Sequence, residues 1–314
     1  MMEFFEININ IFEINALVRI EKKLTNLYKL LNIFPKAKTK NFSAGVIEIH
    51  SSRLRELKVS QDWQKAIISG PDLNNIDDHF NQMGLLMFII RFIGLHLTKK
   101  GIFLLHGSSV LSENGKVLFF GDDGQSKAKT LSSLELALKS NKYIGDELCF
   151  YHSKTKKIHG FSFVPIHIRP EVERHLIIEH NFSFPLNTNR SRAGFFIKPS
   201  EIFKYVPNAK LDTIIYTHFA KQERVEKLSL DEAYKSLKIC MLAHFLKLLN
   251  PCLDHLQFLH RKDSTRDVFY PRNLLENLEN KLNMSSLIKK TAQEIPSYKI
   301  SLKQPCNLTH LLPF

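Results

Sequence analysis

Residues 117–138, VLFFGDDGQSKAKTLSSLELAL, place an apolar run, a small polar loop and a leucine-rich segment one after another. Strand, glycine loop and helix in that order aim backbone N–H groups and the positive end of a helix dipole at one point, which suits a phosphate. The loop carries Lys127 and Lys129, and each can be set against the pattern G-x-x-x-x-G-K-[ST]. With Gly121 as first glycine, Ser126 replaces the second, Lys127 is the phosphate lysine and Ala128 stands where a metal-binding hydroxyl belongs. Alternatively the loop is two residues longer. Gly121 and Gly124 then keep the turn, and Ala128-Lys129-Thr130 takes the place of Gly-Lys-Thr. This second register restores both the lysine and a hydroxyl, Thr130, for Mg²⁺.

Other reactive types flank the loop. Asp146 and Glu147 are adjacent carboxylates in 142–151, KYIGDELCFY, and within a strand they point to opposite faces. Two carboxylates beside a divalent metal can divide the work, one as metal ligand and one as proton acceptor. His106 lies upstream in 105–110, LHGSSV, either as a contact to phosphate or substrate or as a hydrogen-bonded histidine at a strand end. His175 with His180, and His255 with His260, are spaced five apart, which is not the four-residue spacing of a helical zinc pair. Arg169 and Glu179 read as solvated strand-end charges. Neither a nucleophile elbow nor a dinucleotide fingerprint occurs.

The elements that position these groups follow from hydrophobic period. Segments 4–14 and 45–52 alternate as half-buried strands. Asp77 and Asp78 begin a buried amphipathic helix running to about Leu97, and Lys99-Lys100-Gly101 stops it at a domain seam. Strands at 102–111 and 116–120 enclose Glu113-Asn114-Gly115, a hairpin signal. A helix over 130–140 has Leu131, Leu134 and Leu138 on one face. Strand 142–151, a strand pair within 158–170, and strand 212–220 come next. A helix starts at Ser229 and ends before Asn250-Pro251. A last helix covers 272–291, and 297–302 is the final strand. Strands and helices mixed in this way predict an α/β fold around a mixed sheet. Residues 1–100 would form a small N-terminal α+β domain and residues 101–314 the larger one.

The run LHGSSV, the hairpin, strand, glycine loop and helix, and then Asp146-Glu147-Leu148 resemble the bacterial HPr kinase/phosphorylase family and the looser HPr-kinase-like group. That resemblance has its motif content over 102–150. It extends more faintly into 213–234 and 295–302. The family places its acidic pair about seventeen residues after the P-loop lysine, and Lys129 to Asp146 is seventeen residues, whereas Lys127 to Asp146 is nineteen. The resemblance therefore favours Lys129. It implies a P-loop kinase domain using ATP and Mg²⁺, with Asp146 as the base, Glu147 as a metal-associated acid and His106 near the nucleotide. The acceptor would be a hydroxyl of a protein, peptide or small molecule, and a homo-oligomer is the family's habit. The alternative is a catalytically impaired pseudokinase, kept as a nucleotide-binding or regulatory subunit, for example in peptide maturation.

Composition bounds the remaining classes. The chain has 314 residues, 44% hydrophobic and 24% charged, an ordinary globular balance. Its net charge is +13 with a pI near 9.5. The lysines are scattered, however, and no zinc-finger or aromatic-basic motif accompanies them, so nucleic-acid binding is not expected. Cys149, Cys240, Cys252 and Cys306 form no C-x-x-C pair. The N-terminus is acidic and unlike a signal peptide, and 84–97 is too short to span a membrane. A cytoplasmic protein with free thiols is the expectation.

Overall fold

The computed structural model describes residues 3–12, 14–38, 42–53, 56–60, 62–70, 73, 79–124, 128–185, 194–249, 284–303 and 311–312. The chain forms two compact units, Met1–Lys100 with Phe245–Leu274, and Gly101–His244 with Leu275–Phe314. The class is α/β.

The first unit is built on a five-stranded mixed sheet. Its strands are β1 (Phe4–Ile11), β2 (Ile14–Glu21), β3 (Val46–Ser51), β4 (Glu56–Val59) and β5 (Lys65–Gly70), in the order β1-β2-β3-β5-β4. The segment read as one strand over 4–14 is the start of a hairpin, with Ile11 paired to Ile14 and Phe12 at φ +49° between them. Alternation had marked the faces correctly: Ile7, Ile9 and Ile11 are buried while their neighbours are not. Helix α1 (Thr25–Leu31) follows β2, and α2 (His79–Thr98) follows β5. Every residue from Gly84 to Thr98 is buried, Arg91 included, so over this stretch α2 shows none of the exposed polar stripe of an amphipathic surface helix. Asp77 and Asp78 lie outside the described residues.

The second unit contains His106, Lys129, Asp146 and Glu147. Its main sheet runs β14 (Asn208–Lys210), β10 (Lys157–His159), β9 (Leu148–His152), β6 (Ile102–Leu111), β7 (Val117–Gly121), β15 (Thr213–Phe219), β17 (Ser297–Leu302) and β16 (Arg224–Lys227). A branch pairs β8 (Lys142–Gly145) with β6 and with β13 (Lys204–Tyr205), while β11 (Ile166–Ile168) and β12 (Phe195–Ile197) form a separate ribbon. β7, β15 and β17 are mutually parallel. The β6–β7 hairpin closes over Ser112–Lys116, and Gly115 alone of the turn takes a positive φ, +78°. That is the longer glycine-ended loop rather than a two-residue Asn-Gly turn.

Helix α3 (Lys129–Ser140) buries Leu131, Leu134 and Leu136 against Leu118 and Phe120 of β7 and Ile215 of β15. Removal of this apolar face from water is its main support. Asn141 ends α3 and Asn181 ends α4 (Pro170–His180), both left-handed, as a C-terminal asparagine can be. Arg169 stands at the end of β11, as expected, and is also the residue before α4, whereas Glu179 lies within that helix and not at a strand end. A four-residue α5 (Pro199–Ile202) precedes β13, and α6 (Leu230–Leu249) opens with Ser229 and Glu232 in a reciprocal cap. Helix α7 (Met284–Glu294) is the described part of the last helix. The rest of that expected helix, Asn250-Pro251, Cys252, His255, His260 and Cys306 fall outside the described residues. No helix of the described chain is long and apolar enough to cross a membrane.

Candidate active site

Sheet register assembles the site. In the β6–β7 hairpin Gly107 faces Gly121, and the Asp122 N–H donates to the His106 carbonyl at 3.0 Å. On its other edge β6 pairs His106 with Leu148 of β9. His106 is therefore flanked by Asp122 on one side and by the segment just before Leu148 on the other. That segment is Asp146-Glu147, where the chain leaves β8 and enters β9.

The expected continuous strand over 142–151 is broken there. Glu147 sits at φ +59°, in the left-handed region, and the Leu148 N–H donates to the Asp146 carbonyl at 2.6 Å. A glutamate held there costs conformational energy, of order 1 kcal/mol or more, which surrounding contacts must offset. The turn replaces strict alternation of faces: Glu147 reaches His106 and Lys129, while Asp146 is buried beside Ser108.

Lys129 is the first residue of α3, and its Nζ lies 2.8 Å from His106 Nε2, 3.3 Å from Asp122 Oδ2 and 3.4 Å from Glu147 Oε1. His106 Nε2 is also 2.7 Å from Glu147 Oε2. One ring nitrogen thus stands between an ammonium and a carboxylate. Protonated, it donates to Glu147; unprotonated, it accepts from Lys129. His244 of α6 packs edge-on against the His106 ring at 5.1 Å.

Lys129 keeps its charge although its side chain is only 11% exposed. Burial disfavours the ammonium, but the carboxylates of Glu147, Asp122 and Asp146 outweigh burial and raise its pKa. Asp146 goes the other way for an acid. Burial first, and the neighbouring Glu147 charge second, push it up to about 6 against the pull of Lys129 and the Ser108 hydroxyl. Ser108 Oγ donates to Asp146 Oδ1, while Oδ2 is buried with no hydrogen-bond partner among the described residues. A carboxylate poised near neutrality with a free lone pair is equipped to take a proton.

The loop is anchored at both ends. A Cβ on Gly121 would lie 2.7 Å from a Tyr216 ring carbon and 2.9 Å from Cys240 Sγ, so only glycine fits. Asp122 is held by Cys240 Sγ, which donates to its carbonyl at 3.0 Å, and by the Gly124 N–H, which donates to its Oδ1 at 2.9 Å. Gly124 is exposed at φ +83°. Ala128, set in the second register where the phosphate-loop pattern has glycine, has φ −111° and is fully buried in the core with Leu131 and Leu134. Its backbone has no need of glycine, and its methyl belongs to the core. Thr130 is half-buried in the first turn of α3. Lys127 lies outside the described residues.

Lys129, His106, Asp146 and Glu147 thus come together, with Gly121, Ala128 and Thr130 on the strand and helix that bring them there. The sequence reading missed Asp122 and Ser108. Both had a signal: Ser108 shares the face of β6 with His106 by alternation, and the hairpin register sets Asp122 opposite His106. Asp123, beside them, faces His218 of β15 at 3.4 Å. No protein-family model matches the chain, and no curated protein matches its sequence.

Proposed function

We propose that the chain is an ATP-dependent phosphotransferase of the HPr-kinase-like kind, its second unit a P-loop kinase domain preceded by a small α+β domain, acting on a hydroxyl of a protein, peptide or small molecule. One observation carries this reading: Lys129 at the start of the helix after a glycine loop, locked to Asp122, Glu147 and His106, with the raised Asp146 directly behind. β7 ends at this point, next to the parallel β15, at the kind of strand end where α/β sheets hold their ligands.

Charge decides how a nucleotide could enter. Asp122, Asp146 and Glu147 put three carboxylates around one lysine, an environment that repels free phosphate. Carboxylate oxygens such as those of Glu147 are the hard donors that Mg²⁺ takes, which leaves the orphaned Oδ2 of Asp146 to accept a proton. The Mg²⁺ of Mg·ATP would supply the positive charge that screens these acids, and the ATP the phosphoryl group to be transferred. Lys129 would hold its ammonium against the phosphate oxygens, and Thr130 and Glu147 would serve the metal. Asp146 would take the proton of the acceptor hydroxyl as its oxygen forms the new P–O bond. His106, between Lys129 and Glu147, fixes where both side chains point.

The test is calorimetric binding of ATP with and without Mg²⁺ to wild type, Lys127→Ala and Lys129→Ala, with ATP hydrolysis as the rate readout. Binding that requires Mg²⁺ and falls by at least about 100-fold in Lys129→Ala alone is expected, with turnover rising with pH through about 6 as Asp146 ionises. Binding lost only in Lys127→Ala reverses the register, and absence of Mg·ATP binding sinks the kinase reading.

A second reading, the impaired pseudokinase with a regulatory role, is favoured by Asp122 itself. It occupies Lys129 from within the loop and adds a negative charge where phosphate should sit. Mg·ATP binding without hydrolysis or transfer would select it.

A further inference from the structure

The same helix carries a second cluster of reactive side chains, farther from the loop. His175 Nε2 and His180 Nε2 of α4 both point at Glu135 Oε1 of α3, at 2.9 and 3.4 Å. The three ligand atoms lie within 4.8 Å of one another. Glu135 is buried. Its ion-pair partners among the described residues are these two histidines, and its Oε2 has no hydrogen-bond partner there. A buried carboxylate whose ion pairs among the described residues are to imidazoles, with half its oxygen capacity unused there, is poorly compensated as it stands.

We propose that Glu135, His175 and His180 form a binding site for a divalent transition metal of the zinc class, clamping α3 to α4. Nitrogen and carboxylate donors in the ratio two to one suit Zn²⁺ and Co²⁺ over Mg²⁺ or Ca²⁺. Tetrahedral ligation at about 2.0–2.1 Å separates ligand atoms by roughly 3.3 Å, close to the two spacings observed. Metal takes the place of the Nε2 protons, each imidazole keeping its hydrogen on Nδ1. The cation supplies the charge that Glu135 lacks. His180, the last residue of α4, is 25% exposed in its side chain, which leaves a path for the ion and a water as fourth ligand. This site stands apart from Lys129 and needs no nucleotide.

The experiment is titration of the metal-free full-length chain with Co²⁺ alone, read by calorimetry and visible ligand-field absorption. One equivalent is expected, displaced by Zn²⁺, and weakened by at least about 100-fold in His175→Asn and in His180→Asn. Glu147→Gln should leave it unchanged. A His180→Cys variant keeps three ligands and should add a thiolate-to-cobalt charge-transfer band, an answer that stands even where His→Asn variants fold poorly. Absence of uptake, uptake that survives both asparagine substitutions, uptake lost in Glu147→Gln alone, or cobalt bound to His180→Cys without that band would each overturn the proposal.

Discussion

Two clusters of histidine and carboxylate share helix α3 and differ in one ingredient. At its start, His106, Asp122 and Glu147 surround Lys129; six positions on, Glu135 meets His175 and His180 with no lysine or arginine among their ion pairs in the described residues. The built-in ammonium neutralises the first group of acids and leaves a directed positive charge. Without one, the second group presents lone pairs to a cation from solution. On the two proposals made above, that one side chain separates a place for a metal-bound phosphate from a place for a metal alone. The supports differ as well. The first cluster is set by strand register and a loop, the second by two helices, so each can be disturbed while the other is left intact.

The sharpest way to separate them is Asp146→Asn. Turnover should fall by about 1000-fold, or about 4 kcal/mol of barrier, with cobalt uptake at Glu135 unchanged. The same substitution should stabilise the fold at pH 8. Asp146 has a raised pKa in the folded chain, about 6 against 3.8, so the folded state binds its proton more tightly than the unfolded one. Its ionisation therefore costs stability as pH rises from about 4, and the cost is complete above about 6. Removing it should return up to about 3 kcal/mol at pH 8 and almost nothing at pH 3.5, measured by urea denaturation at both values. Equal effects at the two pH values would break the claim that burial holds this acid high.

A smaller effect is expected from Gly121→Ala. The methyl would press on the Tyr216 ring and Cys240 Sγ, costing about 2 kcal/mol by chemical denaturation and displacing Asp122. Nucleotide affinity should drop with it while the Glu135 group keeps its metal; loss of both would show that the clusters are not separable. The least perturbing change is Ser229→Ala, which removes the cap of α6 at about 1 kcal/mol and should alter neither binding activity.

Much of the first cluster was legible in sequence because it depends on local order. Strand, loop and helix follow one another, the choice of Lys129 came from the lysine-to-acid spacing of the family that the motif resembles, and the turn at Gly115 bounds the hairpin. Glu147 was less legible. Alternation assigns it to the face opposite Asp146, and only a left-handed turn between β8 and β9, bracketed by pairing to β6, brings it to His106. Pairing between distant strands leaves no mark at the residues themselves. The second cluster was invisible for the same reason. His175 and His180 lack the four-residue spacing of a helical metal pair, and Glu135 looks like a polar position on α3 until α4 is laid against it. The hairpin of β1 and β2 was also missed, since Phe12 and Glu13 continue the strand-like composition across the turn.

The turn over Ser112–Lys116 acts as a ruler for everything downstream. Because each residue added there would shift β7 against β6, a single insertion would exchange the inward and outward faces of the strand. It would carry Asp122 away from His106 and, through Gly121, drag the entry of α3 with it. Deletions would do the same in the opposite sense. The length of this small exterior turn is therefore as closely constrained as any side chain in the interior, although nothing in the turn touches a reacting group.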